Sequence, residues 1–228
     1  MSTAGTMADD DGTVGVADVP RIPGLRSRRY RGRVDHAAMA HVWNAQAAAD
    51  SGPERLIVDT LDSEYQNLTN CDPATDILLA EVDGEVIALT LVEWLDHPAG
   101  GRRYDVIGAL HPAWRRQRVG TAMLGLGLQR AREIGDAHEA AGATTGQDRW
   151  FWSWGADSNV ANTALLRQHG FRPIRRQSLM VRGDLEGIDV PPLPPGIDVR
   201  DVRTAEHRAI FDASTHAFRD SYWVLSTS

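Results

Sequence analysis

The chain has 228 residues, 42% of them hydrophobic and 24% charged, and a formal net charge of −7. That length is generous for one domain and short for two, and the acidic balance argues against wholesale nucleic-acid binding. A single cysteine, Cys71, excludes an internal disulfide and a cysteine-built metal site, so no metal is expected. No apolar run reaches the roughly 20 residues that span a bilayer, and the start lacks a secretory pattern; the expectation is a soluble, cytoplasmic chain without membrane contact.

Residues 1–22 are small, polar and acidic, with Asp9-Asp10-Asp11 and no periodicity, and read as a disordered tail. A first strand falls at Leu25–Arg31. A helix follows at His36–Ala49, where Met39, Val42, Trp43 and Ala47 share one face. After Ser51-Gly52-Pro53, a short helix is expected near Leu61–Leu68. Asp76–Val82 and Glu85–Leu95 read as an antiparallel hairpin across Asp83-Gly84, a pair that tolerates positive φ. The next strand is Arg103–Leu110. It feeds a helix at Val119–Ile134, then a strand at Trp150–Trp154, a helix at Val160–His169 and a long strand at Arg172–Leu185. Val190-Pro191-Pro192-Leu193-Pro194-Pro195-Gly196 is a semi-rigid linker, because locked φ values and missing N–H groups favour extended geometry. Beyond it, Ile197, Val199 and Val202 suggest a strand, and Thr204 caps a helix presenting Ile210, Phe211 and Phe218.

The densest chemistry lies at His111-Pro112-Ala113-Trp114-Arg115-Arg116-Gln117-Arg118-Val119-Gly120-Thr121-Ala122-Met123-Leu124. Three arginines crowd the start of a helix, where the macrodipole makes each cation unfavourable by roughly 0.3–1 kcal/mol. An anionic ligand reverses that cost, since backbone donors, dipole and guanidinium forks then share one negative charge. On spacing alone a solvated basic turn explains the run equally well.

The flanking residues favour a site. The stretch resembles the signature of the GNAT superfamily of N-acetyltransferases, a strand and a His-Pro step followed by Arg/Gln-x-x-Gly-x-Gly/Ala opening a helix. Anchored on His111-Pro112, the signature falls on Arg115–Gly120, with Arg118 in the first glycine slot and Val119, Met123 and Leu124 in the apolar slots. A register two residues later, Gln117–Ala122, gives the helix a poorer buried face. A second stretch, Asn159 to Phe171, resembles the family's Asn-x-x-Ala-x-x-Leu-Tyr helix followed by Gly-Phe, with Asn162 in the alanine slot and Leu166 in the tyrosine slot. The two in order cover most of residues 24–185. The resemblance implies an α+β GNAT fold, a mixed and mainly antiparallel sheet flanked by helices. It sets the domain at 23–187 and the linker at 188–196. Residues 197–228 resemble a partial second GNAT domain, its first strand and helix, with Ala217–Trp223 like the opening of the second half in tandem members such as mycothiol synthase. A lone strand-helix pair cannot bury its apolar face, so it docks on the first domain, pairs with a second copy or stays loosely ordered.

The same resemblance implies acetyl-CoA as cosubstrate and a small-molecule or peptide amine as acceptor. Its cofactor residues would be Ala109, Leu110, Arg115, Arg116, Gln117, Arg118, Val119, Gly120, Thr121 and Asn159. Ala109 and Leu110 would act through backbone N–H groups that polarise the acetyl carbonyl. Asn159 either binds the cofactor or caps its helix. Tyr104, Val106, Gly108 and Leu110 alternate onto one face and Asp105 onto the other. Glu93 is the candidate general base, with His111 behind it. Leu166 cannot protonate a departing thiolate. Trp150, Trp152 and Trp154 share a face, as core or as the wall of the cofactor channel. The alternative to catalysis is a coenzyme A binding or pairing module left from a tandem protein.

Overall fold

The computed structural model describes residues 20–50, 56–97, 100–144, 146–178, 180–184 and 186–218. The expected N-terminal tail up to residue 19 and the stretch Arg219–Trp223 lie outside the described residues. Contacts divide the chain into two units, one running to Phe171 and the other starting at Arg172.

In the first unit, five strands form one sheet in chain order: β1 (Leu25–Arg29), β2 (Ile77–Val82), β3 (Glu85–Asp96), β4 (Arg102–Leu110) and β5 (Arg149–Trp152). The first four are antiparallel, and β5 runs parallel to β4. The β2–β3 turn is Asp83-Gly84, at φ 51° and 86°, the left-handed pair the sequence predicts. A bulge at Ala80/Glu81 shifts the β2–β3 register by one residue.

Helices cover both faces. On one, α1 (His36–Ala49) and α2 (Val58–Gln66) bury Met39, Val42 and Leu61 against Leu79, Leu89 and Ala109. On the other, α4 (Val119–Ala140) lays Met123, Leu126, Leu128 and Ala131 over Ala88, Val92, Tyr104 and Val106. The three-four spacing of the apolar residues on α4 predicts that face. A short α3 (Pro73–Asp76), capped by the Asp72 side chain, leads into β2, so Asp76 closes a helix rather than opening the strand. The terminal helix of this unit is α5 (Val160–Gln168).

Two polar clamps fix the α1 edge. Arg28 forks onto Asp35 at 2.8 and 2.9 Å and donates its Nε to Glu81 at 2.8 Å. Burial alone would raise the Asp35 carboxyl, but the Arg28 fork outweighs it and holds the group below its ordinary range. His36, buried at the start of α1, has one ring nitrogen on the Tyr30 hydroxyl and the other on Asp62 of α2.

Two strands expected from the sequence are not formed. Residues 172–178 and 180–184 adopt neither strand nor helix, and neither do Ile197, Val199 and Val202. Pro173 removes a ladder donor, Arg172, Arg175 and Arg176 interrupt the apolar alternation, and Pro191 to Pro195 precede the second segment. Apolar content there exceeds what local structure buries: Met180, Val181, Val190 and Val199 are all exposed. The second unit is ordered mainly as a 3-10 turn at Thr204–Glu206 and α6 (His207–Ala217). Thr204 does not cap α6: it opens the 3-10 turn, where the Glu206 side chain accepts from the Arg203 N–H at 3.0 Å, and α6 itself has no side-chain cap. Among the described residues no helix is long and apolar enough to cross a membrane.

Candidate functional site

β5 is short. It pairs with β4 only as far as Asp105↔Trp152, after which β4 continues to Leu110 paired with β3 but without β5. Past that point Ser153 Oγ bridges to the Val106 carbonyl at 2.8 Å, and the strands diverge around a cavity of about 370 Å³. Val106, Gly108 and Leu110 of β4, Thr121 and Leu124 of α4, Trp154, and Leu165 and Leu166 of α5 are among its lining residues.

Backbone direction along β4 decides which amides enter this cleft. The Val106 carbonyl bonds toward β5 and the Ile107 carbonyl toward Thr90 of β3, while the His111 N–H reaches the Ile87 carbonyl of β3. Even-numbered N–H groups therefore face the cleft and odd-numbered ones face β3. That directs the Ala109 N–H away, and the cleft-facing donors are Gly108 and Leu110 instead of the Ala109 and Leu110 expected from sequence. A Cβ at residue 108 would lie 2.9 Å from the Leu89 carbonyl oxygen, so glycine is required where the strands crowd. The Leu110 N–H donates to Gln46 Oε1 of α1 at 2.9 Å.

The arginine loop is wound unusually. Arg116 and Arg118 both adopt φ 65°, a left-handed conformation that costs a side-chain-bearing residue roughly 1–2 kcal/mol. Arg118 is the residue before α4, and no side chain caps that helix, so its first N–H groups have no partner within it. Arg116 and Arg118 are exposed, line the cavity and form no ion pair among the described residues.

Other sequence candidates have different surroundings. Arg115 lines the cavity but forks onto Asp50 at 2.7 and 2.8 Å. Asn159 caps α5 by accepting from the Asn162 N–H at 2.9 Å, and it donates to Asp50 at 2.6 Å. Val119 is buried in the α4 core, and the Gln117 side chain donates to the Ala113 carbonyl at 3.2 Å. His111 accepts from the Ala113 N–H at 3.3 Å and stacks on His41. Of the tryptophan row, Trp150 meets His97, Trp152 lies under the Arg103 guanidinium, and Trp154 lines the cleft. The core residue of that strand is the interleaved Phe151, which packs against the α4 cluster.

Glu93 lies on the α1–α2 face, directly across from Asp105. It stands four residue pairs from the Leu89–Ala109 pair, about 14 Å along the strands. Burial pushes its carboxyl above the ordinary range, the Asp105 charge adds to that, and Arg103 opposes it. Asp105 is itself raised by burial, against the pull of Arg103. Arg103 Nε lies 2.7 Å from Asp105 Oδ1 but off its N–H axis, and the hydrogen bond runs from Nη2 to Oδ2 at 2.9 Å. Burial likewise lifts the Cys71 thiol to about 12, which disfavours its thiolate.

A raised carboxyl favours the protonated form in the native state. The stability it contributes is present below the unfolded glutamate value near pH 4.3 and lost as pH rises through the higher folded value. Glu93→Gln should therefore melt progressively above the parent as pH increases from about 4 to 7. A difference in melting temperature that stays flat across that range would contradict the half-buried placement of this carboxylate.

Asp50, Gln46 and Gly108 carry no sequence signal that singles them out. Gln46 and Asp50 are polar residues four apart on an alanine-rich helix, which places them on one face but not on a site.

A five-stranded, mainly antiparallel sheet with a parallel last pair that opens over an arginine-laden helix start defines the class. Residues 39–171 match the model of the Acetyltransferase (GNAT) family, and the chain belongs to that family. In sequence it is 35% identical over 122 residues to the mycothiol acetyltransferase of Sanguibacter keddieii. That match covers 51% of this chain and 37% of the relative, so the chain spans little more than a third of it. In fold it is similar to a GCN5-related N-acetyltransferase from Sphaerobacter thermophilus, with a TM-score of 0.61 and 20% identity over 90% of this chain and 60% of that one. It is also similar to a transcriptional regulator from Bacillus halodurans, with a TM-score of 0.51 and 16% identity over 69% of this chain and 99% of that one.

Proposed function

We propose that this chain binds acetyl-CoA in the cleft between β4 and β5 and transfers its acetyl group to the amine of a small molecule or peptide. The observation that carries the reading is the convergence on one cavity of Arg116 and Arg118, without an ion pair among the described residues, the uncapped start of α4 and the cleft-facing N–H of Gly108. These donors suit a diphosphate at one end and a thioester carbonyl further in. The cosubstrate supplies the activated acetyl group. Arg116, Arg118 and the N–H groups of Val119, Gly120 and Thr121 take the diphosphate charge, and Gly108 N–H stabilises oxygen charge as the amine attacks. The new C–N bond forms as the C–S bond breaks. Glu93, whose carboxyl is raised above its ordinary range by burial, takes the proton from nitrogen through water, since it does not line the cleft. Solvent protonates the thiolate, because Leu166 occupies the wall where a hydroxyl would be needed.

Calorimetric titration with coenzyme A tests the site, with saturable one-to-one binding expected and an absence of heat fatal to the reading. Thiol release from acetyl-CoA with a panel of primary amines then tests transfer. Leu166 and the remoteness of Glu93 favour a second reading, a coenzyme A binding module without turnover. Tight binding with no thiol release from any amine would select it.

A further inference from the structure

Three segments far apart in sequence meet on one buried carboxylate. Asp50 is the residue closing α1, and it accepts from both outer nitrogens of Arg115, at 2.8 and 2.7 Å, and from Asn159 Nδ2 at 2.6 Å. Arg115 belongs to the loop before α4 and Asn159 to the cap of α5, so this one group ties together the first cofactor motif, the second motif and α1. Position and chemistry are at odds unless the group has a task. The last turn of a helix carries partial negative charge and its free carbonyls repel a carboxylate, so an aspartate there is unfavourable on its own. Burial adds a desolvation cost, since Asp50 is 8% exposed. The bidentate guanidinium and the amide offset both. Four residues earlier on the same helix face, Gln46 holds the Leu110 N–H, so the end of α1 is fastened to β4 as well.

We infer that Asp50 is a positioning residue for the cofactor cleft, fixing Arg115 as a strut between α1, the arginine loop and α5. The diphosphate charge then falls to Arg116 and Arg118, which have no carboxylate partner among the described residues, and Arg115 acts on it through the loop backbone. Asn159 acts the same way: its amide is engaged at both ends, so it sets the angle of α5 against the cleft. This inference rests on the reading of the cleft as a coenzyme A site, and the measurement separates the two.

The test is calorimetric titration of coenzyme A into the full chain carrying Asp50→Asn, Arg115→Ala and both together, with Arg116→Ala as comparison, each at low and high salt. Asp50→Asn keeps shape and volume, so thermal melts should show a folded protein; its fork to Arg115 is lost. Asp50→Asn and Arg115→Ala should each weaken binding about tenfold, and the double variant should be no weaker than the worse single. Neither should change the slope of affinity against salt, whereas Arg116→Ala should flatten it, because only a group facing the ligand charge is screened with it. A wild-type chain that fails to bind coenzyme A defeats the site reading itself. If the wild type binds, affinity unchanged in Asp50→Asn, or losses that add in the double variant, or a flattened slope in Arg115→Ala, each overturn the positioning role and make Arg115 a direct ligand or a bystander.

Discussion

Replacing Arg116 and Arg118 together by alanine should weaken coenzyme A binding by about 3 kcal/mol, roughly 100-fold, at low ionic strength. Each exposed guanidinium is placed at the lower end of the range for charge-assisted hydrogen bonds, because water screens part of its charge. Titration calorimetry reads the loss directly, and the deficit should shrink as salt rises, since the wild type loses screened attraction that the variant no longer has. The loop conformation permits a sharper version. Arg118 holds φ 65°, which glycine adopts without steric cost, so Arg118→Gly should melt above the parent by an amount equivalent to about 1 kcal/mol while still binding more weakly. Stability gained with affinity lost would identify Arg118 as a residue kept for its charge at the expense of backbone ease. Binding unchanged in the double variant would remove the arginine loop from the site altogether.

Why Arg118 is legible as a candidate site residue, and Asp50 is not, follows from where the partners of each lie. The arginine cluster conflicts with a helix dipole that begins within four residues along the chain, so sequence alone exposes the conflict. Helix α1, the Asp83-Gly84 turn and the α4 face are likewise local patterns, and their positions in the fold match the spacing of Met39 and Val42, the turn pair, and Met123, Leu124 and Leu128. Asp50 acquires its meaning only through Arg115 and Asn159, partners that pairing in three dimensions brings to it. The Gly108 amide is hidden for another reason: which N–H groups of β4 face the cleft depends on hydrogen-bond phase against β3, and side-chain alternation does not report it. The tryptophan row misleads by size. Large aromatic area suggests a core, but the face that holds Trp150, Trp152 and Trp154 is covered by His97 and Arg103, while Phe151 takes the buried side. The strands expected beyond Arg172 rest on alternation broken by proline and arginine, and apolar content without a neighbouring ladder does not make a strand.

Gly127→Leu should cost about 3 kcal/mol or more and take the cleft with it. Gly127 is buried where α4 crosses β3 and β4, and a Cβ there would lie 2.5 Å from Val106 Cγ1 and 2.8 Å from Thr90 Oγ1. Neither neighbour has room to yield, since Val106 and Thr90 are both 2% exposed, and Thr90 Oγ1 also donates to the Ile107 carbonyl at 3.3 Å. Helix and sheet must therefore separate or the Thr90 bond must break. Both residues also line the cavity, so a displaced α4 carries its arginine-bearing start away from the Gly108 amide. Gly125 on the same helix provides the contrast: nothing lies within 4 Å of its Cβ position, so Gly125→Ala should raise stability by about 1 kcal/mol through helix propensity alone. Thermal denaturation of the two variants, with coenzyme A titration of each, distinguishes the explanations. Loss of stability and binding together at position 127, with neither lost at 125, means that the close approach of α4 to β4 sets the cleft; equal behaviour at the two positions would mean that the approach is not what holds the site open.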